Sequence, residues 1–184
     1  MIADSLDILR ELGAKRHIAS ALNRLGNIAV LESKYNEGRS LYEEGLTVAN
    51  TAGAKRTAAD LTNGLANLAR NDGRHGVALD LEKQSLTMFR EMGYKNGVAR
   101  SLHLIAVTMV AIGKAGRAAR LFGAVEALYE AMGILPPPSE RILFGYEAAS
   151  LGAREILGNE TFLAAKAEGR AMTVDQVTEI AFDE

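Results

Sequence analysis

The sequence predicts an all-α fold: a right-handed superhelical solenoid of helical hairpins, finished by a C-terminal helical cap. Three observations predict it. First, a glycine returns every 40 residues, at Gly13, Gly53, Gly93 and Gly133, and a period of that length marks stacked supersecondary units. It brings its neighbours with it: Leu12-Gly13-Ala14-Lys15-Arg16 comes back as Ala52-Gly53-Ala54-Lys55-Arg56 and then as Met92-Gly93-Tyr94-Lys95-Asn96. Second, aromatics make up only 5% of the chain and Trp is absent, so the core must be built from Leu, Ile, Val, Ala and Met, which suits close-packed helices. Third, the 3 prolines stand in one run, Pro136 to Pro138, and leave the rest of the chain free to be helical.

The elements follow in order. Met1 to Leu12 reads as a helix with Ile2, Leu6 and Leu9 on one face. Its Ser5-Leu6 and Arg10-Glu11 match Ser85-Leu86 and Arg90-Glu91, so it corresponds to the second half of a repeat, and the chain reads as a piece of a longer protein. Three full units come next, about 14–53, 54–93 and 94–133, after the half unit 1–13. The first helix of each covers about Arg16 to Glu32, Arg56 to Asn71, and Asn96 to Ile112. Leu25, Leu65 and Ile105 fill the core there, and Gly26, Ala66 and Ala106 beside them let a neighbouring helix approach. A turn falls near Ser33, Gly73 and Gly113, where glycine suits a left-handed helix stop. The second helices cover about Asn36 to Ala52, His75 to Met92, and Ala115 to Met132.

After Met132 the repeat decays, and 134–184 reads as a proline linker and cap. The prolines stiffen the link. Ser139 is placed to cap a helix running to about Leu157, and Asn159 opens another through about Glu168. Thr173 and Gln176 form a capping box for a last helix ending near Phe182. These helices are expected to cover the apolar end face that stacked repeats leave open.

Composition removes several function classes. The formal net charge is −2, which gives no electrostatic footprint for nucleic acid. There are no cysteines, hence no disulfides or thiolate metal sites. No signal peptide and no membrane-length apolar run is present. The sequence therefore points to a cytoplasmic protein, and Asn159-Glu160-Thr161 is read as a glycosylation pattern that never meets its machinery. No Gly-x-Ser-x-Gly elbow occurs. Gly113-Lys114-Ala115-Gly116 lacks the order of a phosphate loop. His17, His75 and His103 form no pair at helical spacing. The reading is a non-catalytic protein with no cofactor and no metal.

Leu25-Gly26, Gly38, Tyr42 and Gly45 in the first unit, with Leu65-Ala66, Gly73 and Ala78 in the second, resemble the tetratricopeptide repeat. The period departs from that family's usual 34 residues, and Glu82 and Phe122 stand where Tyr42 supplies the aromatic. The resemblance implies a scaffold that binds a protein or peptide in a concave groove. A second resemblance is narrower. Arg117 to Ala124, Glu126-Ala127-Leu128, Met132-Gly133, the proline run, Phe162 and Glu168 to Thr173 resemble the C-terminal end of large bacterial regulators. Those proteins join a STAND-type ATPase module to tetratricopeptide repeats, often with a DNA-binding domain of the LuxR or winged-helix kind. This likeness covers roughly Gly93 to Ala181 and implies that Glu184 lies near the parent's natural end. None of the ATPase or DNA-binding residues are in this chain, so no direct nucleic-acid contact is expected of it.

The candidate binding residues share the repeat's register. In such an array the first helices line the concave face. Asn23 and Asn27 recur there as Asn63 and Asn67, His103 takes the third upper position, and Arg70 and Arg100 lie on the same side. Amides both donate and accept, so this ladder suits the backbone of an extended peptide. Arg70, Arg100 and a protonated His103 would add a carboxylate site. The competing reading is that these Asn side chains bond to neighbouring helices and set the stacking. A small-molecule effector in the groove and homodimerisation are the alternative roles.

Overall fold

A computed structural model describes residues 2–183, with side chains from Leu6 to Asp183. Met1, Glu184 and the side chain of Ile2 lie outside the described residues. Eleven helices and no strand occur among those residues, and the chain divides into two compact units, Met1–Met92 and Gly93–Glu184.

The first unit holds α1 (Ile2–Glu11), α2 (Lys15–Leu31), α3 (Tyr35–Thr51), α4 (Lys55–Asn71) and α5 (His75–Glu91). Four consecutive helices are 17 residues long, and each turn between them takes three residues. Two helices with their turns therefore make the 40-residue period. The turns share one geometry. Gly13, Ser33, Gly53 and Gly73 have φ of 63°, 63°, 60° and 74°. At each, the left-handed residue donates to a carbonyl three residues back and the next residue donates to one five back, as in Gly53 N–H to Asn50 (3.2 Å) and Ala54 N–H to Ala49 (2.8 Å). This is the Schellman helix stop. The sequence shows the glycine only after every second helix of this unit's first repeat, because Ser33 takes the left-handed conformation at the remaining turn.

Helix pairs α2–α3 and α4–α5 form hairpins, α3 packs on α4, and α2 packs on α4. The packing centre is the Tyr42 ring, fully buried. It lies between two glycines. A Cβ on Gly64 of α4 would fall 2.6 Å from Tyr42 Cζ, and one on Gly26 of α2 would fall 2.6 Å from Cδ1. Both positions must lack a side chain for the ring to fit. At the hairpin's other end Leu6, Ile18, Ala21 and Leu22 form a cluster with Leu9, Leu25, Leu41 and Val48 against it, which places the described part of the α1 face where the periodicity puts it.

The second unit holds α6 (Lys95–Ala111), α7 (Ala115–Met132), α8 (Pro138–Phe144), α9 (Tyr146–Leu157), α10 (Asn159–Arg170) and α11 (Val174–Phe182). The third hairpin, α6–α7, groups with the closing helices: α9, α10 and α11 each pack on α7. The α7–α10 contact is backbone to backbone. A Cβ on Gly123 would penetrate the Lys166 carbonyl, and one on Gly169 would penetrate the Arg120 carbonyl. Ion pairs surround the crossing: Arg120 with Glu168 (2.7 Å), Lys166 with Glu126 (2.6 Å), and Arg170 with Glu130 (2.6 Å).

Two expectations for the closing segment are resolved. The capping box before α11 is formed, with Thr173 N–H donating to Gln176 Oε1 (2.9 Å) and Gln176 N–H donating to Thr173 Oγ1 (3.3 Å). The single helix from Ser139 to Leu157 is not. Its N-cap is Pro137 with no side-chain cap, and Gly145, in the left-handed region at φ 70°, splits it into α8 and α9.

Candidate functional site

In the first unit the structure sorts the expected ladder by depth. Asn23 and Asn27 on α2 are half-buried. Asn63 and Asn67, one repeat on, are each 1% exposed. The lower rung holds the hairpins together from inside. Asn27 Oδ1 accepts from the Tyr42 hydroxyl at 2.7 Å. Burial pushes that phenol well above its ordinary pKa, so it stays a neutral donor.

The equivalent place in the next hairpin has different chemistry. Glu82 stands at the Tyr42 position and is fully buried. A buried carboxylate needs a partner, and Arg70 Nη1 donates to its Oε1 at 3.0 Å, with the Arg70 side chain 9% exposed. Arg70 Nη2 donates to Asn67 Oδ1 at 2.5 Å. A phenol–amide pair in one repeat is thus replaced by a carboxylate–guanidinium–amide chain in the next. Arg70, expected to face a ligand, bonds to Glu82, and Asn67, expected to do the same, accepts from Arg70. The physical cause of this chain of bonds is the acid that the repeat buries at its aromatic position.

In the second unit Arg100 and His103 sit on α6. Arg100 Nη1 reaches Glu140 of α8 at 3.5 Å, so its charge already faces a carboxylate of the chain. The His103 ring stacks on Tyr146, with centroids 3.6 Å apart and planes 10° from parallel. Phe122 meets it edge-on at 5.4 Å. Burial, helped by the Arg141 charge, pushes His103 down to about 3. That shift favours the neutral imidazole at neutral pH, the form that brings no charge for a carboxylate.

Sequence reasoning passed over a concave site beside His103. Phe122, Val125 and Tyr129 of α7, Leu135 and Pro136 of the connection, and Arg141 and Tyr146 further on line a cavity of about 290 Å³. Its signal was the change at the repeated positions, where Val107 and Phe122 replace the polar Asn67 and Glu82 and leave His103 among rings. Among the described residues no group of three or more His, Cys, Asp or Glu is arranged to hold a metal ion. No helix of the described residues is long and apolar enough to cross a membrane.

Residues 17–91 match the family model of the tetratricopeptide repeat. The match runs from early α2 to the end of α5 and supports a tetratricopeptide-repeat domain there. No curated protein and no solved structure matches the chain. Tetratricopeptide repeats form non-catalytic helical scaffolds that mediate interactions between proteins.

Proposed function

We propose that this chain is a non-catalytic, cytoplasmic protein- or peptide-binding scaffold that works within a larger bacterial signalling or transcriptional regulator. The observation that carries the reading is the tetratricopeptide match over α2–α5, where α2 carries two half-buried amides, Asn23 and Asn27, the second keeping its amide nitrogen for a partner while its oxygen holds Tyr42. These two residues would meet the backbone of an extended partner segment, since an amide can donate and accept along a strand-like chain. Asn63, Asn67 and Arg70 support that surface from behind by holding the hairpin interior in place. The regulator context rests on the likeness of Arg117–Ala124 and Glu168–Thr173 to the ends of STAND-type regulators, whose other domains would be neighbours in the parent chain.

The test is selection of peptides from a random library on the intact chain, with the bound peptide mapped by backbone amide NMR. Shifts concentrated on α2 and α4, and lost on Asn23→Ala with the fold intact, support the reading. A chain that selects no peptide, or selects them unchanged after Asn23→Ala and Asn27→Ala, refutes it.

A further inference from the structure

We infer that the second unit contains a separate small-molecule site, the α6–α7–α9 cavity, and that its ligand is a small, uncharged, planar ring with hydrogen-bonding atoms on one edge. The site does not depend on the peptide reading, which concerns the first unit.

Size comes first. An apolar cavity of about 150 Å³ takes one benzene ring. At about 290 Å³ this one admits a substituted or fused ring and is too small for an extended peptide. Shape comes from the walls. The chain has 5 Phe and 5 Tyr in all, and Phe122, Tyr129 and Tyr146 line this one cavity together with His103. Flat aromatic walls favour a flat guest through stacked and edge-on contacts. Leu135 at the rim is 80% exposed, and a ring in the cavity would cover part of it.

Polarity follows from atoms that the chain does not satisfy. Nδ1 of His103 and the hydroxyl of Tyr129 are both enclosed and have no hydrogen-bond partner in the chain. A buried polar atom without a partner costs free energy, and a ligand edge carrying a donor and an acceptor would remove that cost at both atoms once the side chains that enclose them give way to it.

Charge decides the rest. Three carboxylates line the cavity, Glu126, Glu130 and Glu147, with one cation, Arg141, and that cation is already engaged by Glu147, so no free cation is left among the lining residues to bind an anion. Each acid is already neutralised: Glu126 by Lys166, Glu130 by Arg170, Glu147 by Arg141. No unbalanced negative charge is left to select a cation. His103 is neutral as well. An uncharged ring is what remains.

The test titrates the full chain with phenol, indole and nicotinamide, and with benzoate as the anionic control, by NMR and calorimetry. Saturable binding of at least one neutral ring, with shifts centred on His103, Phe122 and Tyr146 and with benzoate clearly weaker, is the expected result. Tyr129→Phe is the informative variant. It removes a hydroxyl that has no partner, so the melting temperature of the free protein holds or rises, while the neutral ring binds about tenfold more weakly, the worth of one hydrogen bond. Ser150→Trp, which fills the cavity from α9, is expected to abolish binding, and where it impairs folding Tyr129→Phe decides alone. The inference falls if none of the neutral rings saturates at millimolar concentration, which leaves a cavity that holds only water. It falls equally if benzoate binds as tightly as the neutral probes, or if Tyr129→Phe leaves affinity unchanged.

Discussion

The Arg70–Glu82 pair gives the most decisive test of how the first unit is held together. Glu82 is fully enclosed and Arg70 nearly so. In the variant Arg70→Met the carboxylate keeps its place but loses the guanidinium at 3.0 Å. Removing one partner of a buried pair costs about 3–5 kcal/mol, because the remaining charge is stranded. At about 2–4 °C per kcal/mol for a chain of this size, the melting transition of the chain should fall by roughly 6–20 °C. Glu82→Met should cost less, since the guanidinium retains some exposure. In the double variant no charge is buried, and Met is flexible enough to fill the space. Its stability should return to within about 1 kcal/mol of the starting protein, a coupling of about 3 kcal/mol in the cycle. Urea denaturation read by circular dichroism measures all four corners. The reasoning is refuted if Arg70→Met costs under about 1 kcal/mol, or if the double variant loses the sum of the singles.

Three further outcomes follow from the same geometry. Gly123→Ala should destabilise the second unit by at least about 1–3 kcal/mol, as overpacking does, because the new methyl meets the α10 backbone at Lys166 rather than a movable side chain; thermal melting measures it. Tyr42→Phe should cost about 1 kcal/mol through the lost 2.7 Å bond to Asn27, with the ring packing unchanged; urea denaturation checks it. His103 binds its proton less readily in the folded chain, at about 3, than at its ordinary 6.5. Between those values the unfolded chain holds more protons, so stability should fall with decreasing pH from about 6.5 towards 3, by up to about 1.4 kcal/mol per pH unit, and His103 should add no slope above that window. Replacement His103→Phe should remove that part of the slope in denaturation curves taken across the window.

Periodicity carried the fold because it reports what each repeat has in common. Gly13, Gly53, Gly93 and Gly133 all take φ between 60° and 65°, a requirement that a side chain tolerates poorly. The requirement therefore appears in the sequence as a regular mark. Ser33 shows the limit of the signal: it meets the same demand at φ 63° without being glycine. The split at Gly145 was missed for a related reason. A lone glycine in a helical pattern reads as tolerated, and only its left-handed φ of 70° reveals a stop.

Depth was not legible in the same way. Asn23 and Asn63 share a register and a residue type, yet the first is half-buried and the second 1% exposed, because register fixes direction on a helix and not what lies above it. The informative signal was the departure from the pattern. An acid at the position where Tyr42 packs between Gly26 and Gly64 has to be neutralised, and the residue able to do so is Arg70, in the last turn of the preceding helix. Followed to the third hairpin, the same argument runs in reverse. Phe122 and Val107 replace Glu82 and Asn67, so no partner for a polar side chain remains at that level, and His103 is left neutral against aromatic faces. Each hairpin keeps the backbone of the repeat and changes the polarity of one buried cluster, from phenol and amide, to ion pair, to rings. In the first two clusters named bonds join the polar side chains, Tyr42 to Asn27 in one and Arg70 to Glu82 and Asn67 in the other. The third leaves His103 Nδ1 and the Tyr129 hydroxyl without a partner beside a cavity, and an added ligand that bonded them would lower the cost of burying them.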